Sequence, residues 1–560
     1  MAAVRRPDED FATRSIGGAA RPTLRCMTTR RRFLQAGGVL GAAAALPSVA
    51  LPRAGAAVTP GIQEEIVITD TIGPLDSLQY RYFPFRVPPG VNRIDAAINK
   101  GGLSLGFGVF DERGPDYQSP GFRGVFGGED AAFFLTADQA TRSFLPGEIR
   151  PGTWTFVVPV FEAARRAPIT IRAVLGYGPQ GTPFVFGPEV GVVDDRPGWY
   201  RGDLHCHTPQ SSDANASGAA LSPAAWAQEC RRLGLDFAAM TDHNVISQNL
   251  SLAADAGQEV LLLPGEEMTN WFHGHATVSG MDVGEWLDWR QRPLRLPLGR
   301  YERRITEFIA TAREMGAYIS AAHPFIPLPG LPWNFFRDSD ADPAALPHAL
   351  EVWTGPFFSA QAVARWESEL RRGRGLVING GSDLHGTENT LGARAGGPTT
   401  VVYAERLEKR AVVDALRAGR SFVTRAADGG ELYLSATGPD SQVTFTGGTI
   451  YGRPGDMVRV SVEVRTGARL AAAGGLRVLL IRDGTVLSET AVADGDVVRA
   501  EVPIAAGGWV RAELRARPTT DPGSPLVTRT DMEALTNALF LSTAPLPADL
   551  APEHAPPPAR

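Results

Sequence analysis

The chain has 560 residues, of which 43% are hydrophobic and 21% charged, and its formal net charge is −6. This length exceeds what one hydrophobic core supports, so about three domains are expected. The sequence contains no basic cluster of the kind that lines a nucleic-acid groove, so stable nucleic-acid binding is not expected. The 62 glycines and 44 prolines indicate many turns and much β structure outside the central part.

Residues 1–57 have the features of an export signal. Residues 29–34 (TRRRFL) resemble the twin-arginine motif, a mild apolar stretch follows at 36–51, and residues 54–56 (AGA) offer a small-residue cleavage site. The apolar stretch is too short and too rich in alanine to span a membrane well. We therefore expect the twin-arginine export machinery as a partner, a periplasmic or extracellular location, and no transmembrane anchor in the mature form.

Residues 58–196 alternate hydrophobic and polar positions in short runs broken by glycine and proline. Examples of these runs are residues 65–69, 79–87, 104–110, 152–159 and 169–175. Period-two alternation without a long amphipathic helix predicts an antiparallel β-sandwich. This segment holds no cluster of titratable residues, so we expect an accessory role in packing or in shaping a substrate channel.

The pattern changes at Trp199, and residues 197–426 alternate short apolar strands with helical segments. Ser222-Pro223 predicts an N-cap and first helical position, and Gly234 predicts the end of that helix. Alternating strands and helices imply parallel strands, and about seven such units predict a (β/α)7 barrel. The titratable motifs follow the ends of the predicted strands, where such barrels gather functional residues.

Alternation returns in residues 427–545, which predicts a second, C-terminal β-sandwich. Its runs are residues 432–435, 458–464, 477–481, 497–503 and 509–514. Residues 546–560 are rich in proline and alanine and are expected to be a disordered tail.

Two histidines, His205 and His207, stand two residues apart at the end of a predicted strand. Their side chains therefore share a face and can bind one metal ion, although this pair alone is a weak signal. The chain has nine histidines, eight of which lie within residues 205–385, and seven of those stand in strand-end motifs. Cys206 points to the opposite face, towards Cys230 of the next helix. These cysteines are either two free buried thiols or, after export, a disulfide.

Six motifs in residues 199–425 resemble those of the PHP (polymerase and histidinol phosphatase) family of metal-dependent hydrolases. In chain order they are DLHCHT (203–208), TDHN (241–244), PGEE (264–267), GH (274–275), HP (323–324) and SDLHG (382–386). More narrowly, the arrangement is similar to exported metallohydrolases of the CehA/McbA type, named for carbaryl hydrolases, which place a PHP barrel between β-rich segments. The resemblance implies a distorted seven-stranded barrel that holds up to three metal ions.

The resemblance also implies a ligand set for these ions. The first ion would take His205, His207, Glu267 and Asp383; the second would share Glu267 and take His275 and His323; the third would take Asp213, His243 and His385. Some relatives have histidine at the position of Asp213, so an acidic ligand there would weaken the third site or favour a harder metal.

Several assignments near these ligands stay open. Glu266 is the alternative to Glu267 as the bridging carboxylate, and His273 is the alternative to His275. Asp203 and Asp242 are expected to orient ligand histidines from behind. The remaining histidines, His348 and His554, are not expected to bind a metal ion.

Histidine and carboxylate ligands without thiolates suit Zn²⁺, Mn²⁺ or Fe²⁺, and two or three such ions are expected as cofactors. Ions bridged by a carboxylate lower the pKa of a shared water and neutralise charge at the attacked atom. No Gly-x-Ser-x-Gly elbow is evident, so metal-activated water is the expected nucleophile. Asp213, His243 and His385 are the candidate catalytic residues, and the leaving group would take its proton from Asp213 or an unliganded histidine.

The sequence thus predicts a metal-dependent hydrolase of small-molecule esters, with phosphoesters as the leading substrate class. A carbamate or carboxylic ester hydrolase is the main alternative within the same chemistry. A non-catalytic envelope binding protein with a residual metal site is a third hypothesis. Arg394 is interpreted either as a phosphate ligand or as a lone surface arginine.

Overall fold

The computed structural model describes residues 63–544 except 215–218, 387–391, 506 and 517–530. The predicted export signal (1–57) and the predicted tail (546–560) lie outside the described residues. No helix in the described part of the chain is both long enough and apolar enough to cross a membrane. Strands are the most abundant regular element of the described structure, and short helices and loops join them.

Residues 63–177 form two antiparallel sheets. Their strands are β1 (Gln63–Ile72), β2 (Gln79–Val87), β3 (Val91–Asn99), β4 (Ser104–Leu105), β5 (Phe107–Phe110), β6 (Phe122–Phe126), β7 (Ala132–Thr136), β8 (Gly152–Glu162) and β9 (Ala167–Tyr177). One sheet has the order β1-β9-β3-β7, and the other has the order β2-β8-β5-β6 with β4 also on β8. Alternate residues of β9 are buried, and one apolar cluster that includes Leu135, Trp154 and Phe156 draws on both sheets.

Residues 198–424 contain the strands and helices that surround the histidine motifs. The strands are β10 (Gly198–Cys206), β11 (Phe237–Met240), β12 (Leu261–Asn270), β13 (Gly274–Ser279), β14 (Gln291–Arg292), β15 (Arg303–Arg304), β16 (Tyr318–Ala321), β17 (Ala349–Thr354), β18 (Phe357–Phe358), β19 (Val377–Gly381), β20 (Thr399–Ala404) and β21 (Ser421–Thr424). The helices are α1 (Pro223–Leu233), α2 (Leu252–Ala256), α3 (Ile305–Glu314), α4 (Phe336–Ala341), α5 (Ala360–Arg371) and α6 (Lys409–Arg417).

Helix α1 begins and ends where the sequence predicts. The Ser222 side chain accepts a hydrogen bond from the Ala225 N–H, Pro223 is the first helical residue, and Gly234 ends the helix with φ 70°. Trp226 on the buried face donates from Nε1 to the carbonyl oxygen of His207 at 3.0 Å. The helix thereby fixes the backbone that follows the first histidine motif.

The strand pairing does not show the predicted (β/α)7 barrel. Strands β10, β11 and β12 are parallel neighbours, and β17 pairs in parallel with β16 and β19. However, β12 with β13, β13 with β16 and β10 with β20 are antiparallel pairs. Residues 271–273 are too few to hold a crossover helix, so β12 and β13 form a hairpin. The region is a mixed sheet rather than seven repeated parallel units.

The C-terminal strands continue this sheet and add another. They are β22 (Glu431–Thr437), β23 (Val443–Phe445), β24 (Thr449–Tyr451), β25 (Met457–Arg465), β26 (Arg477–Arg482), β27 (Thr485–Ala491), β28 (Val497–Pro503), β29 (Gly508–Arg515), β30 (Met532–Thr536) and β31 (Leu539–Ser542), with helix α7 (Ala468–Ala473) between β25 and β26. Strand β21 pairs with β30, and the sheet runs on through β29, β26 and β27. Strands β22, β23, β25 and β28 form a separate antiparallel sheet. One sheet therefore crosses the predicted boundary between residues 426 and 427.

The N-terminal sheets pack against the loop that follows the first histidine motif. The Ser143 N–H donates to Oε1 of Gln210 at 2.8 Å, and the Gly127 N–H donates to Oγ of Ser212 at 3.1 Å. Farther away, Arg290 donates to the hydroxyl of Tyr82 at 2.9 Å. The N-terminal region thus supports one wall of the histidine-rich site.

Candidate metal centre

The structure brings all nine predicted metal ligands together at one edge of the mixed sheet. Strand β10 carries His205, and His207 follows it directly, while β12 carries Glu267 and β13 carries His275. The other ligands stand on loops just beyond β11, β16 and β19 or, for Asp213, on the loop after β10. The backbones of His243 and Glu267 form a parallel bridge, and Leu384 forms another with Cys206. These bridges align neighbouring loops so that their side chains face one space.

Four side-chain atoms form a cage with the dimensions of a tetrahedral metal site. Nε2 of His205 lies 3.4 Å from Oε2 of Glu267 and 3.3 Å from Oδ1 of Asp383. Nε2 of His207 lies 3.4 Å and 3.2 Å from the same two oxygens. A tetrahedral ion about 2.0–2.1 Å from each ligand requires ligand separations of about 3.3–3.4 Å. The four separations between imidazole nitrogens and carboxylate oxygens therefore match those around a tetrahedral ion such as Zn²⁺.

The second oxygen of Glu267 faces two more histidines. Nδ1 of His275 lies 3.0 Å and Nε2 of His323 lies 3.2 Å from Oε1 of Glu267. His243 approaches the other oxygen, with its Nδ1 2.8 Å from Oε2. One carboxylate thus contacts histidines on both sides, which is the arrangement that bridges two ions.

A third group lies on the more exposed side of the centre. Oδ2 of Asp213 is 3.2 Å from Nε2 of His243 and 3.1 Å from Nε2 of His385, and the two imidazole nitrogens are 3.4 Å apart. The side chain of Asp213 is 41% exposed and that of His385 is 28% exposed, whereas His205 and His207 are fully buried. These three side chains form the triangle that the family resemblance implies for a third ion.

Two atoms of the cage, Nε2 of His205 and Nε2 of His207, are buried and lack a hydrogen-bond partner among the described residues. Buried polar atoms are nearly always paired, so two imidazole nitrogens that face the same two carboxylate oxygens indicate a cation site. The donor set is imidazole nitrogen and carboxylate oxygen, which suits Zn²⁺, Mn²⁺ or Fe²⁺. The residues present therefore fit divalent metal ions.

Burial keeps two of the histidines neutral, which is the form that binds metal. Burial, reinforced by the nearby His385, lowers the pKa of His207 to about 3. Burial also lowers the pKa of His275 to about 4, although Glu267 acts in the opposite direction. Both imidazoles are therefore unprotonated at neutral pH, and their lone pairs are available to an ion.

Glu267 and His385 are charged in the metal-free centre. Burial acts to raise the pKa of Glu267, but His243 and His205 hold it well below its usual range. Burial acts to lower the pKa of His385, but the Asp213 carboxylate raises it to about 9. Without metal, protons thus occupy part of the centre, and ions that bind there must displace them.

The imidazoles are oriented by residues that sequence reasoning missed. Nδ1 of His205 lies 3.2 Å from Oε1 of Glu351, and Nδ1 of His207 lies 2.9 Å from Oγ of Ser211. Nδ1 of His243 also lies 2.5 Å from Oγ1 of Thr269. Glu351 had one usable signal, because it is a carboxylate inside a short apolar strand. Ser211 and Thr269 belong to no recognisable spacing.

The expectation that Asp203 and Asp242 orient ligand imidazoles is corrected by the structure. Asp203 accepts backbone hydrogen bonds from His205 at 3.2 Å and from Ser382 at 2.9 Å. Asp242 accepts backbone hydrogen bonds from Thr208 at 2.7 Å and from Ser211 at 2.9 Å. Both carboxylates therefore fix the loops that carry ligands, because they satisfy amides near the strand ends rather than imidazole nitrogens.

In each of the two pairs of alternative ligands, Glu266 or Glu267 and His273 or His275, the structure places only one member against the other ligands. Glu267 faces the histidines, whereas Glu266 points away and accepts a hydrogen bond from the Leu287 N–H at 3.1 Å. Burial raises the pKa of Glu266 well above its usual range. His275 contacts Glu267, whereas the ring of His273 packs at the hairpin tip against Phe272 and Phe335.

Of the remaining candidates, His348 accepts a hydrogen bond at Nδ1 from the Ile319 N–H at 3.1 Å, and Arg394 is exposed. His554 lies outside the described residues. Cys206 and Cys230 are free and buried, and both belong to the apolar cluster behind the centre.

Three residues of the centre have backbone conformations that residues other than glycine rarely adopt. Asn244, His323 and Asp383 have φ values of 54°, 31° and 52°. The Asp383 N–H donates to the carbonyl oxygen of His205 at 2.9 Å, and the Asn244 N–H donates to that of Glu267 at 3.0 Å. Such strain persists only where neighbouring contacts enforce it, and it concentrates at functional sites.

A small apolar cleft opens beside the centre. His323, Glu351, Thr354, Ser359 and Gln361 contribute its polar lining, and its volume is about 40 Å³. Its apolar lining consists of Phe325, Ile326, Pro327, Phe357, Phe358 and Ala360. None of its lining residues is a lysine or arginine, so the cleft suits a compact uncharged group.

Comparisons with known proteins give only distant structural similarity. No family model and no curated protein sequence matches the chain. A two-domain protein from Bacteroides vulgatus, described as containing a predicted PHP-like metal-dependent phosphoesterase, is 15% identical; the match covers 65% of this chain and 100% of that one, with a TM-score of 0.32. A protein from Bifidobacterium adolescentis, proposed to be a metal-dependent phosphoesterase, is 18% identical; the match covers 39% and 94% of the two chains, with a TM-score of 0.27. Neither similarity assigns the chain to a family.

Proposed function

We propose that this chain is a metal-dependent hydrolase of the PHP type that acts on phosphoesters. The observation that carries this proposal is the cage of His205, His207, Glu267 and Asp383. Its imidazole nitrogens lie 3.2–3.4 Å from its carboxylate oxygens, and both nitrogens are buried without a hydrogen-bond partner among the described residues. The order and composition of the six PHP-like motifs support the same assignment. Divalent ions bound there would lower the pKa of a water molecule and neutralise charge that develops on the substrate.

Some side chains of the centre are buried and would hold metal ions, whereas others are more exposed and are the candidates for catalysis. Asp213, His243 and His385 form the partly exposed side, so the substrate is expected to approach from there. Oδ2 of Asp213 and Nε2 of His385 are 3.1 Å apart and can share one proton. In this proposal the pair donates that proton to the leaving group when no third ion is present.

A carbamate or carboxylic ester is the second candidate substrate, and the small apolar cleft beside His323 favours it. The cleft is about 40 Å³ in volume and is lined by phenylalanine, isoleucine and proline side chains, so it suits a small apolar substituent of such a substrate rather than the whole molecule. The assembled donor set argues against the third hypothesis, a non-catalytic envelope protein with a residual metal site, because such a protein would not need every ligand.

Several finer assignments belong to the same proposal. We infer export by the twin-arginine route, which carries folded proteins and so suits an enzyme that acquires metal before export. The CehA/McbA-type arrangement, with a barrel-like centre between two β-sandwiches, is consistent with the antiparallel sheets on either side. Zinc, manganese and iron are the candidate ions, in two or three positions.

The experiment that tests this proposal is a substrate screen with metal-loaded protein. The substrates are p-nitrophenyl phosphate, bis-p-nitrophenyl phosphate and 1-naphthyl N-methylcarbamate. We expect hydrolysis of at least one, and we expect His205→Ala and Asp383→Ala to abolish it while His348→Ala retains it. Hydrolysis of none by protein that contains metal would overturn the enzymatic assignment, and full activity of His205→Ala would overturn the site assignment.

A further inference from the structure

Glu351 is a buried carboxylate that contacts two different metal-ligand residues. It lies on β17 and is 1% exposed. Its Oε1 is 3.2 Å from Nδ1 of His205, and its Oε2 accepts the backbone N–H of His323 at 2.8 Å. The hydroxyl of Thr354 donates to the same Oε2 at 2.7 Å. The carboxylate is therefore held from one side by Thr354 and reaches towards the centre on the other.

The contact with His205 determines which imidazole nitrogen faces the metal cage. A buried carboxylate beside Nδ1 favours the tautomer that carries its hydrogen on Nδ1, because that hydrogen is then donated to Glu351. The lone pair of Nε2 is left to face Oε2 of Glu267 and Oδ1 of Asp383, 3.4 and 3.3 Å away. The negative charge of Glu351 also makes the imidazole a stronger donor to a cation.

The contact with His323 stabilises a strained backbone. His323 has φ 31°. For any residue other than glycine this conformation costs free energy, so it persists only where neighbouring contacts offset that cost. The hydrogen bond from its N–H to Glu351 is one such constraint. It fixes the direction in which the His323 side chain leaves the backbone, towards Oε1 of Glu267.

The fold makes room for this carboxylate in two ways. The pairing of β17 with β19 shifts register between Glu351 and Trp353, as at a β-bulge, which changes the direction of the side chains there. Gly381 on β19 faces His205 and Glu351, and a Cβ at this position would lie 3.1 Å from Oε1 of Glu351 and closer still to His205. The absence of a side chain at residue 381 therefore permits the His205–Glu351 contact.

We propose that Glu351 is a positioning residue that couples the two ion positions sharing Glu267, because one carboxylate orients the imidazole of His205 and fixes the backbone of His323. This inference rests on the proposed metal-dependent function. It assigns no direct contact between Glu351 and an ion or a substrate.

The test measures metal affinity of the full chain, freed of metal with a chelator and titrated with Zn²⁺ against a chromophoric chelator. We expect Glu351→Gln to weaken Zn²⁺ binding by about 10- to 100-fold, because glutamine keeps an acceptor but loses the charge. Glu302→Gln is the matched control, since Glu302 is also buried but pairs with Arg292 away from the centre. It should leave Zn²⁺ affinity unchanged.

A second measurement separates positioning from a general loss of structure. In NMR spectra of ¹⁵N-histidine-labelled, Zn²⁺-loaded protein, His205 should carry its hydrogen on Nδ1, and this signal should shift or exchange away in Glu351→Gln. If Glu351→Gln does not fold, Thr354→Val removes one anchor of the carboxylate and should weaken Zn²⁺ binding to a smaller extent.

The outcomes distinguish the two proposals. Wild-type protein that binds less than one Zn²⁺ per chain contradicts the proposed function itself. Wild-type protein that binds Zn²⁺ as expected, with unchanged affinity and unchanged His205 signals in Glu351→Gln, overturns the positioning role alone. If only Thr354→Val can be measured, unchanged Zn²⁺ affinity in that variant overturns it.

Discussion

Glu267 Oε2 lies 2.8 Å from Nδ1 of His243, and the backbones of these two residues also form a parallel β-bridge. This β-bridge aligns β12 with the loop that follows β11. The same backbone contact therefore fixes both the carboxylate of Glu267 and the imidazole of His243. The three ligand groups are thus joined through Glu267 and His243 rather than being independent sites.

The first prediction concerns Glu267, because its two oxygens serve two ion positions. Glu267→Gln should reduce bound metal to less than about one ion per chain and lower hydrolysis by at least about 100-fold. Metal content by elemental analysis and initial rates check both effects. Glu266→Gln is the control: burial raises the pKa of Glu266 and so favours its neutral form, and a neutral amide of the same shape should be tolerated. Equal losses in the two variants would contradict the choice of Glu267 as the bridge.

The third ion position should be separable from the first. Asp213→Ala removes the carboxylate that lies between His243 and His385 but leaves the cage around His205 intact. We expect one ion fewer per chain, or an unchanged metal content with a lower kcat if Asp213 acts through a proton instead. Elemental analysis and steady-state kinetics distinguish these two results. A variant with the wild-type metal content and the wild-type kcat would exclude a role for Asp213.

A glycine beside the centre should not tolerate a side chain. In Gly381→Ala the new Cβ would lie 2.7 Å from the backbone nitrogen of His205. Because a packed backbone cannot move freely, we expect a loss of about 1–3 kcal/mol in the free energy of unfolding and weaker Zn²⁺ binding. Gly375→Ala is the control, since no atom of the described residues lies within 4 Å of the position that its new Cβ would occupy. Urea unfolding of metal-free protein measures the difference, which should be absent for Gly375→Ala.

The stability of the metal-free protein should fall in acid partly because of His348, which lies outside the centre. Burial, with smaller contributions from Arg417 and Arg313, lowers the pKa of His348 to about 3. The folded state therefore holds fewer protons than the unfolded state between about pH 3 and about pH 6.5, and its stability rises with pH across that window and is flat above it. The slope from this residue is at most about 1.4 kcal/mol per pH unit.

His348→Asn isolates that contribution, because asparagine can accept the Ile319 N–H but does not titrate. Urea unfolding at several pH values should show that wild type loses more stability than His348→Asn on going from about pH 7 to about pH 5. Parallel pH curves for the two proteins would mean that His348 is protonated equally in both states.

Sequence reasoning identified side chains that the structure brings together, because these residues belong to short motifs with a geometric meaning. His205 and His207 share a strand face by their spacing, and Glu267, His323 and Asp383 lie in motifs at or near strand ends. Glu351 was not found, because its role depends on the pairing of β17 with β16 and β19 and on a side-chain contact with His205 of β10, and no local spacing encodes that contact. The prediction of parallel strands failed at β13, which pairs antiparallel with both β12 and β16. Strand β12 itself runs on to Asn270 through a Pro-Gly pair that indicated a break.

The most direct measurement of the central claim is the metal content of purified protein before and after chelation, paired with hydrolysis of the three substrates at each metal content. We expect about two or three Zn²⁺, Mn²⁺ or Fe²⁺ ions per chain, loss of hydrolysis on chelation and its return as ions are restored. Less than one bound ion per chain, with hydrolysis that is absent throughout or unaffected by chelation, would contradict metal-dependent hydrolysis.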